Sequence, residues 1–359
     1  MEAIAPVHLA QEWDNVGLLV GDRRAACRRV LLCIDTTPAV LMEAVRLKCE
    51  MIVSYHPPLL RPVKRVLADS GETDSLVHGA IRRGIGIYSP HTALDAADGG
   101  TNDVLAELCG LRETEPFEFV AGVERECKVV VFVPPEALDR VSSAMFAAGG
   151  GRIGQYEQCS YRLRGEGTFF GTDATSPAVG QKGRLERVEE VRLEMVAPRD
   201  RIPEILQAIR GSHPYETPAY DVYALESPPV RGIGRVGEPA AGTTLGSLAS
   251  VLKRRTGTRV MQVVGDPKKR IRRVAVCAGA AGRLPLEHRR SAGADAIVTG
   301  EIRHHDALTL LRTGKCAVVL GHWESERPVL GPLAKRLSSA LPALRTHVSQ
   351  ADAGPFRPA

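Results

Sequence analysis

The sequence predicts an α/β protein made of two related halves in a three-layer plan, interrupted by a ferredoxin-like α+β insert. Three observations lead there. Short apolar runs such as VLLCID at 30–35 and MIVS at 51–54 alternate with stretches of helical spacing, the order that builds parallel strands joined by crossovers. Two distant segments, IDTTPAVLMEAVRLKCEMIVSYH and CAGAAGRLPLEHRRSAGADAIVTGE, share one plan of strand, tight loop, helix and a strand ending in polar residues. Between them the order β, α, β, β, α, β is the ferredoxin-like arrangement.

Residues 30–35 read as a buried strand, Thr37 as an N-cap with Pro38 at the first helical position, 39–50 as a helix and 51–56 as the next strand. The Pro57-Pro58 pair stops any helix beyond it. Residues 76–83 read as a helix and 84–89 as a strand, and Thr101 or Asn102 caps a helix ending at Gly110. Composition shifts after Leu111 and again at ESPPV, 226–230, giving an N-terminal half at 1–120, an insert at 126–227 and a C-terminal half at 231–349. Within the insert, strands fall at 128–133, 160–170, 187–196 and 221–225, and helices at 135–148 and 201–211. After it come a helix at 245–256, strands at 259–264 and 274–278, a loop at 279–282 and a helix to Ser291. A strand at 296–299, a helix after His305 and a strand at 316–320 follow, and 350–359 reads as a disordered tail.

The composition, 44% hydrophobic and 25% charged, is that of a globular protein, and no apolar run approaches the ~20 residues that span a bilayer. The opening MEAIAPVHLAQEWDN has no basic segment leading into an apolar one, so the expected compartment is the cytoplasm. The 8 cysteines lack CxxC spacing and read as small buried hydrophobes in a reducing compartment. A net charge of +5, with basic runs such as KKRIRR at 268–273 but no accompanying aromatics, argues for a solvated surface over a nucleic-acid face.

Four apolar runs end in histidine and carboxylate: MIVSYHPPLL (51–60), IGIYSPHTALD (85–95), AIVTGEIRHHD (296–306) and CAVVLGHWESE (316–326). Parallel sheets collect their sites at such strand ends, and imidazole with carboxylate is a donor set for zinc, iron, nickel or manganese. His56, Asp95, His322 and Glu326 are therefore the candidate metal ligands. Tyr55, His91, Glu301, His304 and His305 are candidates to line the site, with His91 and Glu301 placed to move protons. Each alone has a plainer reading, a hydrogen-bonded loop histidine or, at Asp95, an Asx-turn. The spacing His322-x-x-x-Glu326 suits an i, i+4 pair. Pro328, however, fits only a first helical turn, which makes Ser325 the N-cap and leaves His322 on the preceding loop.

The GIGRVG at 232–237 follows a proline-rich linker instead of a strand and reads as a bend, not a dinucleotide loop. The GAAG at 279–282 has a strand before it and a helix after it. It reads as a tight turn or as a loop whose amides could meet a phosphate, with no Walker lysine behind it.

WDNVGLLVGD (13–22), SYHPPLL (54–60), SPHTALDAADGGTND (89–103), TGEIRHHDAL (299–308) and GHWESERP (321–328) resemble the dinuclear-metal Nif-three-like family, whose bacterial members are catalogued as GTP cyclohydrolase 1 type 2 homologs. The insert, with glycines at 165–171 and HPYE at 213–216, is similar to the PII-like or CutA-like domain of longer members. The resemblance implies a toroidal homohexamer with paired divalent metals facing an interior cavity that takes a small-molecule substrate, and it carries the ligand roles onto His56, Asp95, His322 and Glu326. The chain departs from many bacterial members at Tyr55, where they have a second histidine and eukaryotic-type members a tyrosine. A phenol binds a hard cation only when deprotonated, so one or two ions per subunit are expected. Members usually carry a further helical turn or two before the segment at 2–6, which implies a start upstream of Met1. Two classes of function stay open: a metal-dependent hydrolase acting on a nucleotide-like or other small molecule, and a metal carrier, sensor or regulatory scaffold. Binding of nucleic acid in the ring interior is a weaker third.

Overall fold

Runs of four apolar residues are too short for stable helices and too apolar for edges, so they become central strands covered on both faces. In the computed structural model, which describes residues 1–71, 73–120, 126–226 and 230–357, they form the middles of two mixed sheets. The first sheet runs Gly17–Val20, Gly86–Ser89, Met51–Ser54, Arg29–Cys33 and Arg345–Val348, parallel except for its first strand. The second runs Gln262–Val264, Cys316–Val319, Ala296–Thr299, Val274–Cys277, Arg235–Glu238 and Arg112–Glu115, with the three strands after Gln262–Val264 parallel.

Helices cover both faces of each sheet. Pro38–Arg46, capped by the Thr37 hydroxyl accepting from Val40 N, and Thr73–Arg82 press Leu41, Ala44, Val77 and Ala80 onto Leu31, Ile52 and Ile87. The opposite face, with Leu32 and Val53, packs with His91–Ala96 and with Leu333 and Leu337 of Leu330–Ala340. Thr101–Cys109 and Leu245–Thr256 cover one face of the second sheet. Leu284–Glu287 and His304–Arg312 adjoin the strands on its other face.

Several local expectations are corrected. Gly100, not Thr101 or Asn102, is the N-cap, its backbone extended ahead of the helix, and only glycine fits there because a Cβ would lie 1.8 Å from the Leu94 carbonyl. The helix read up to Ser291 is a single turn, Leu284–Glu287, ending where His288 turns extended. The halves also trade strands: Arg345–Val348 belongs to the first sheet and Arg112–Glu115 to the second. Residues 350–352 are not loose, because the buried Glu43 carboxylate accepts from Ser349 Oγ and from the amides of Gln350 and Ala351, and Asp352 is itself buried.

The glycines at 232–237 do form a bend. Gly232–Ile233 and Arg235–Glu238 are short strands on either side of Gly234, whose φ is +66° and whose Cβ would strike the Phe117 ring. Arg235 is 3% exposed and donates to the carbonyls of Gly232 and Gly234 and, bidentately, to Asp103. Arg235→Leu would strand these acceptors. A loss of about 3 kcal/mol is expected, the low end for a broken buried pair because Asp103 is partly exposed, and is checked by denaturant unfolding.

The chain divides into two compact units, 1–121 with 229–359 and, separately, 122–228. Residues 121–125 and 227–229, where the sequence sets its boundaries, lie outside the described residues. The middle unit is a four-stranded antiparallel sheet in the order Tyr220–Leu225, Glu126–Val133, Leu185–Pro198, Tyr161–Phe170. Its helices Leu138–Ala147 and Ile202–Ser212 pack on Val129, Val131, Leu193 and Met195. His213 there is structural, with Nε2 on the Phe132 carbonyl at 2.9 Å and Nδ1 accepting from Tyr215 N.

Candidate metal centre

The strand Met51–Ser54 delivers His56 two residues past its end, where Ser54 Oγ donates to the His56 carbonyl and sets the corner. The strand Cys316–Val319 delivers His322 through Gly321, whose φ of +101° favours glycine. His322 and Glu326 are the first and last residues of a five-residue helix, His322–Glu326, which corrects the reading of His322 as a loop residue and Ser325 as the cap. Pro328 does restrict the backbone, but its restriction falls in the following 3₁₀ turn, Arg327–Val329, and leaves room for one i, i+4 pair before it.

Ligand atoms of His56, His322 and Glu326 all lie within 4.8 Å of one another. His322 Nε2 is 3.1 Å from Glu326 Oε1 and His56 Nε2 is 3.3 Å from Glu326 Oε2. Each imidazole is held from behind by a carboxylate at its Nδ1, Asp35 for His56 at 2.9 Å and Glu301 for His322 at 2.8 Å. A partner that accepts from Nδ1–H leaves the Nε2 lone pair facing inward, the tautomer a metal ligand needs. In the metal-free chain these groups favour protons instead. Burial opposes charge on His56, but Asp35 and Glu326 outweigh it and raise its pKa to about 10. The Glu326 hydrogen bond raises His322 to about 8 against burial. Burial would raise the Glu326 carboxyl, yet the two histidines hold it below the usual carboxylate value.

Two features suit this cluster to a cation. Glu326 Oε2 is buried and makes no hydrogen bond, since His56 Nε2 approaches it outside hydrogen-bonding geometry. An acceptor left bare inside a protein is costly unless something fills its coordination. Beneath it, Gly279 has a φ of +63°, and a Cβ there would sit 2.2 Å from Glu326 Oε1 and 3.3 Å from His322 Nε2. The 279–282 loop is thus a tight turn whose first glycine lets the backbone reach the carboxylate, with Gly279 N donating to Ser325 Oγ.

Asp95 stands outside that trio. Its Oδ1 accepts a 2.5 Å hydrogen bond from Tyr55 Oη. Burial raises the Asp95 carboxyl to about 6, with the Glu326 charge adding to it and the Tyr55 hydrogen bond and His91 opposing it. Tyr55 is 2% exposed, and burial together with the charges of Asp95 and Glu326 drives its pKa well above 10.0. The phenol therefore stays protonated and acts as a donor to Asp95.

His91 lies edge-on to His56 and Tyr55, with ring centroids 5.3 and 5.5 Å away, and Asp14 fixes its Nδ1 at 2.8 Å. Asp14 also accepts from the amide and hydroxyl of Thr92. His304 and His305 are exposed at the start of the helix His304–Arg312, and the ring contact they make is with each other.

The family model described as Duf34/NIF3 (NGG1p interacting factor 3) matches residues 1–355. The chain belongs to the Duf34/NIF3 family. A Mycobacterium tuberculosis protein named GTP cyclohydrolase 1 type 2 homolog is 39% identical over 341 residues, covering 93% of this chain and 88% of its own length. A Bacillus subtilis protein of the same name is 34% identical over 360 residues, covering 99% and 95%. Among solved structures, a Bacillus cereus protein related to NIF3 superposes with a TM-score of 0.76 at 34% identity, covering 100% of this chain and 96% of that one. A Staphylococcus aureus protein gives 0.82 at 26% identity with the same coverage. The Nif-three-like α/β class read from the sequence is borne out.

Beside the cluster of this Duf34/NIF3 chain lies a cavity of about 2190 Å³ whose lining includes Glu301, His322, Trp323, Arg259, Met261 and Phe356. Two residues of the site escaped the reading of motifs. Asp35 closes the strand run VLLCID and obeys the same strand-end rule as the histidines, so that rule alone would have found it. Asp14 sits in the WDN segment that marks the family, but nothing local to it signals His91, 77 residues away. Among the described residues no helix is long and apolar enough to cross a membrane.

Proposed function

We propose that this chain binds a divalent cation through His56 Nε2, His322 Nε2 and Glu326, and uses it to hydrolyse a small, nucleotide-like molecule in the adjoining cavity. The buried Glu326 carboxylate between two imidazole Nε2 atoms, with an Oε2 that makes no hydrogen bond, carries the reading. A divalent cation held there supplies Lewis-acid polarisation of a carbonyl or phosphoryl group and a nucleophile at neutral pH. Asp35 and Glu301 keep both imidazoles in the binding tautomer and orientation. His91, held by Asp14 at Nδ1, presents Nε2 as the group that takes or returns a proton. Relatives named GTP cyclohydrolase 1 type 2 homolog motivate the nucleotide-like substrate.

A second reading, a metal carrier or regulatory scaffold, is favoured by Tyr55. Its protonated phenol occupies Asp95, which leaves a three-residue site for one ion. The experiment is a hydrolysis screen of nucleoside triphosphates and small esters with zinc or manganese restored. Turnover that His322→Ala abolishes supports the hydrolase, whereas stoichiometric metal with no turnover moves the account to the carrier. Gly279→Ala provides a further check. The added Cβ is expected to displace Glu326 and weaken zinc binding by about 10-fold or more, measured by chelator competition.

A further inference from the structure

Asp352 belongs to none of the motifs that suggested the site, yet it joins the two parts of the chain that form it. Its side chain is 0% exposed. Oδ2 accepts from Ile34 N at 2.9 Å, Oδ1 lies 3.5 Å from Asp35 N, and both amides follow the strand Arg29–Cys33. On the other side Oδ1 accepts from Trp323 Nε1 at 3.2 Å and Oδ2 faces Arg327 Nε at 3.4 Å. Trp323 lies inside the helix His322–Glu326 and Arg327 immediately follows it. The first pair of contacts anchors the backbone of Asp35, which holds His56; the second anchors the helix that presents His322 and Glu326.

The segment that carries Asp352 is itself secured. It continues the strand Arg345–Val348, with Ser349 N on the Leu32 carbonyl, Arg327 Nη2 on the Ser349 carbonyl, and Glu43 accepting from residues 349–351. A buried carboxylate satisfied on both sides is a rigid spacer, since moving either partner leaves a charge unpaired.

We propose that Asp352 is a positioning residue of the metal centre, one that sets the distance between His56 and the His322–Glu326 pair. The inference rests on the metal-binding reading above. The test compares wild type with Asp352→Asn, which keeps the shape and removes the charge, using cobalt(II) as the probe. Cobalt affinity is read by chelator competition and ligand geometry by the visible d–d absorption band. The expected result is a 10- to 100-fold weaker cobalt affinity, the range typical of outer-shell partners, with a shifted band. Trp323→Phe, which keeps an aromatic ring and removes only the indole N–H, is expected to weaken affinity several-fold. It decides the matter should Asp352→Asn fail to fold. Unchanged affinity and an unchanged band in the folded variants would overturn the positioning role, because a purely structural aspartate alters melting alone. A wild type that takes up no cobalt would overturn the metal reading itself and this inference with it.

Discussion

Glu326→Gln is expected to strip the protein of divalent metal while leaving it folded. Glu326 is the one ligand that faces both imidazoles, at 3.1 Å from His322 and 3.3 Å from His56, and it is 3% exposed. The amide keeps the volume but removes the anionic charge and one acceptor, so the trio becomes two neutral histidines and a weak oxygen. Outer-shell changes alone cost about 10- to 100-fold in affinity, and loss of the central carboxylate should exceed that range. The fold should survive, because the helix His322–Glu326 is held by other contacts, including Ser325 Oγ accepting from Gly279 N. Chelator competition with zinc gives the affinity and a thermal melt reports the fold. Retained affinity in the variant would place the metal elsewhere.

The second large effect is that of pH. In the metal-free chain His322 holds its proton up to about 8 and His56 up to about 10. A cation requires both imidazoles neutral, so binding displaces their protons and affinity rises with pH. Below about pH 8 two protons leave, and affinity should climb roughly 100-fold per pH unit; from there to about 10 one proton leaves and the slope halves on a logarithmic scale. The stability of the metal-free fold runs the other way. Both histidines have folded-state values above 6.5, so their contribution is full below that pH and fades as pH rises through about 8 and about 10. Zinc titrations at a series of pH values check the first slope, and melts of chelated protein check the second. An affinity independent of pH would mean that the histidines are not the ligands.

Much of the scaffold was legible in the sequence because its central strands, VAVC, AIVT and CAVV among them, are short, rich in β-branched residues and covered on both faces. Residues 245–256 were readable as a helix for a local reason too, since Thr244 and Ser247 form a capping box before an amphipathic run. Edges were harder. Arg112–Glu115 is exposed along its length and strongly charged, and pairing across to Arg235–Glu238 makes it a strand. At the site, His56, His322 and Glu326 were found because each follows a strand end. The helix that pairs the last two is hidden in the sequence because the restriction at Pro328 reaches only the 3₁₀ turn Arg327–Val329. Two of the supporting carboxylates, Asp352 and Asp14, were invisible for a different reason. Asp352 meets Ile34 across 318 residues and Asp14 meets His91 across 77, distances over which no periodicity or spacing rule operates. Tyr55 stands out in the sequence as a tyrosine beside His56, but its role as a buried donor to Asp95 depends on the packing around it.

The most direct test is the metal content per chain, by mass spectrometry, of protein purified without chelators, alongside His56→Ala and His322→Ala. The account predicts at least one divalent ion per wild-type chain and little or none in either variant. Wild-type protein without metal, or variants that keep the full complement, would contradict it.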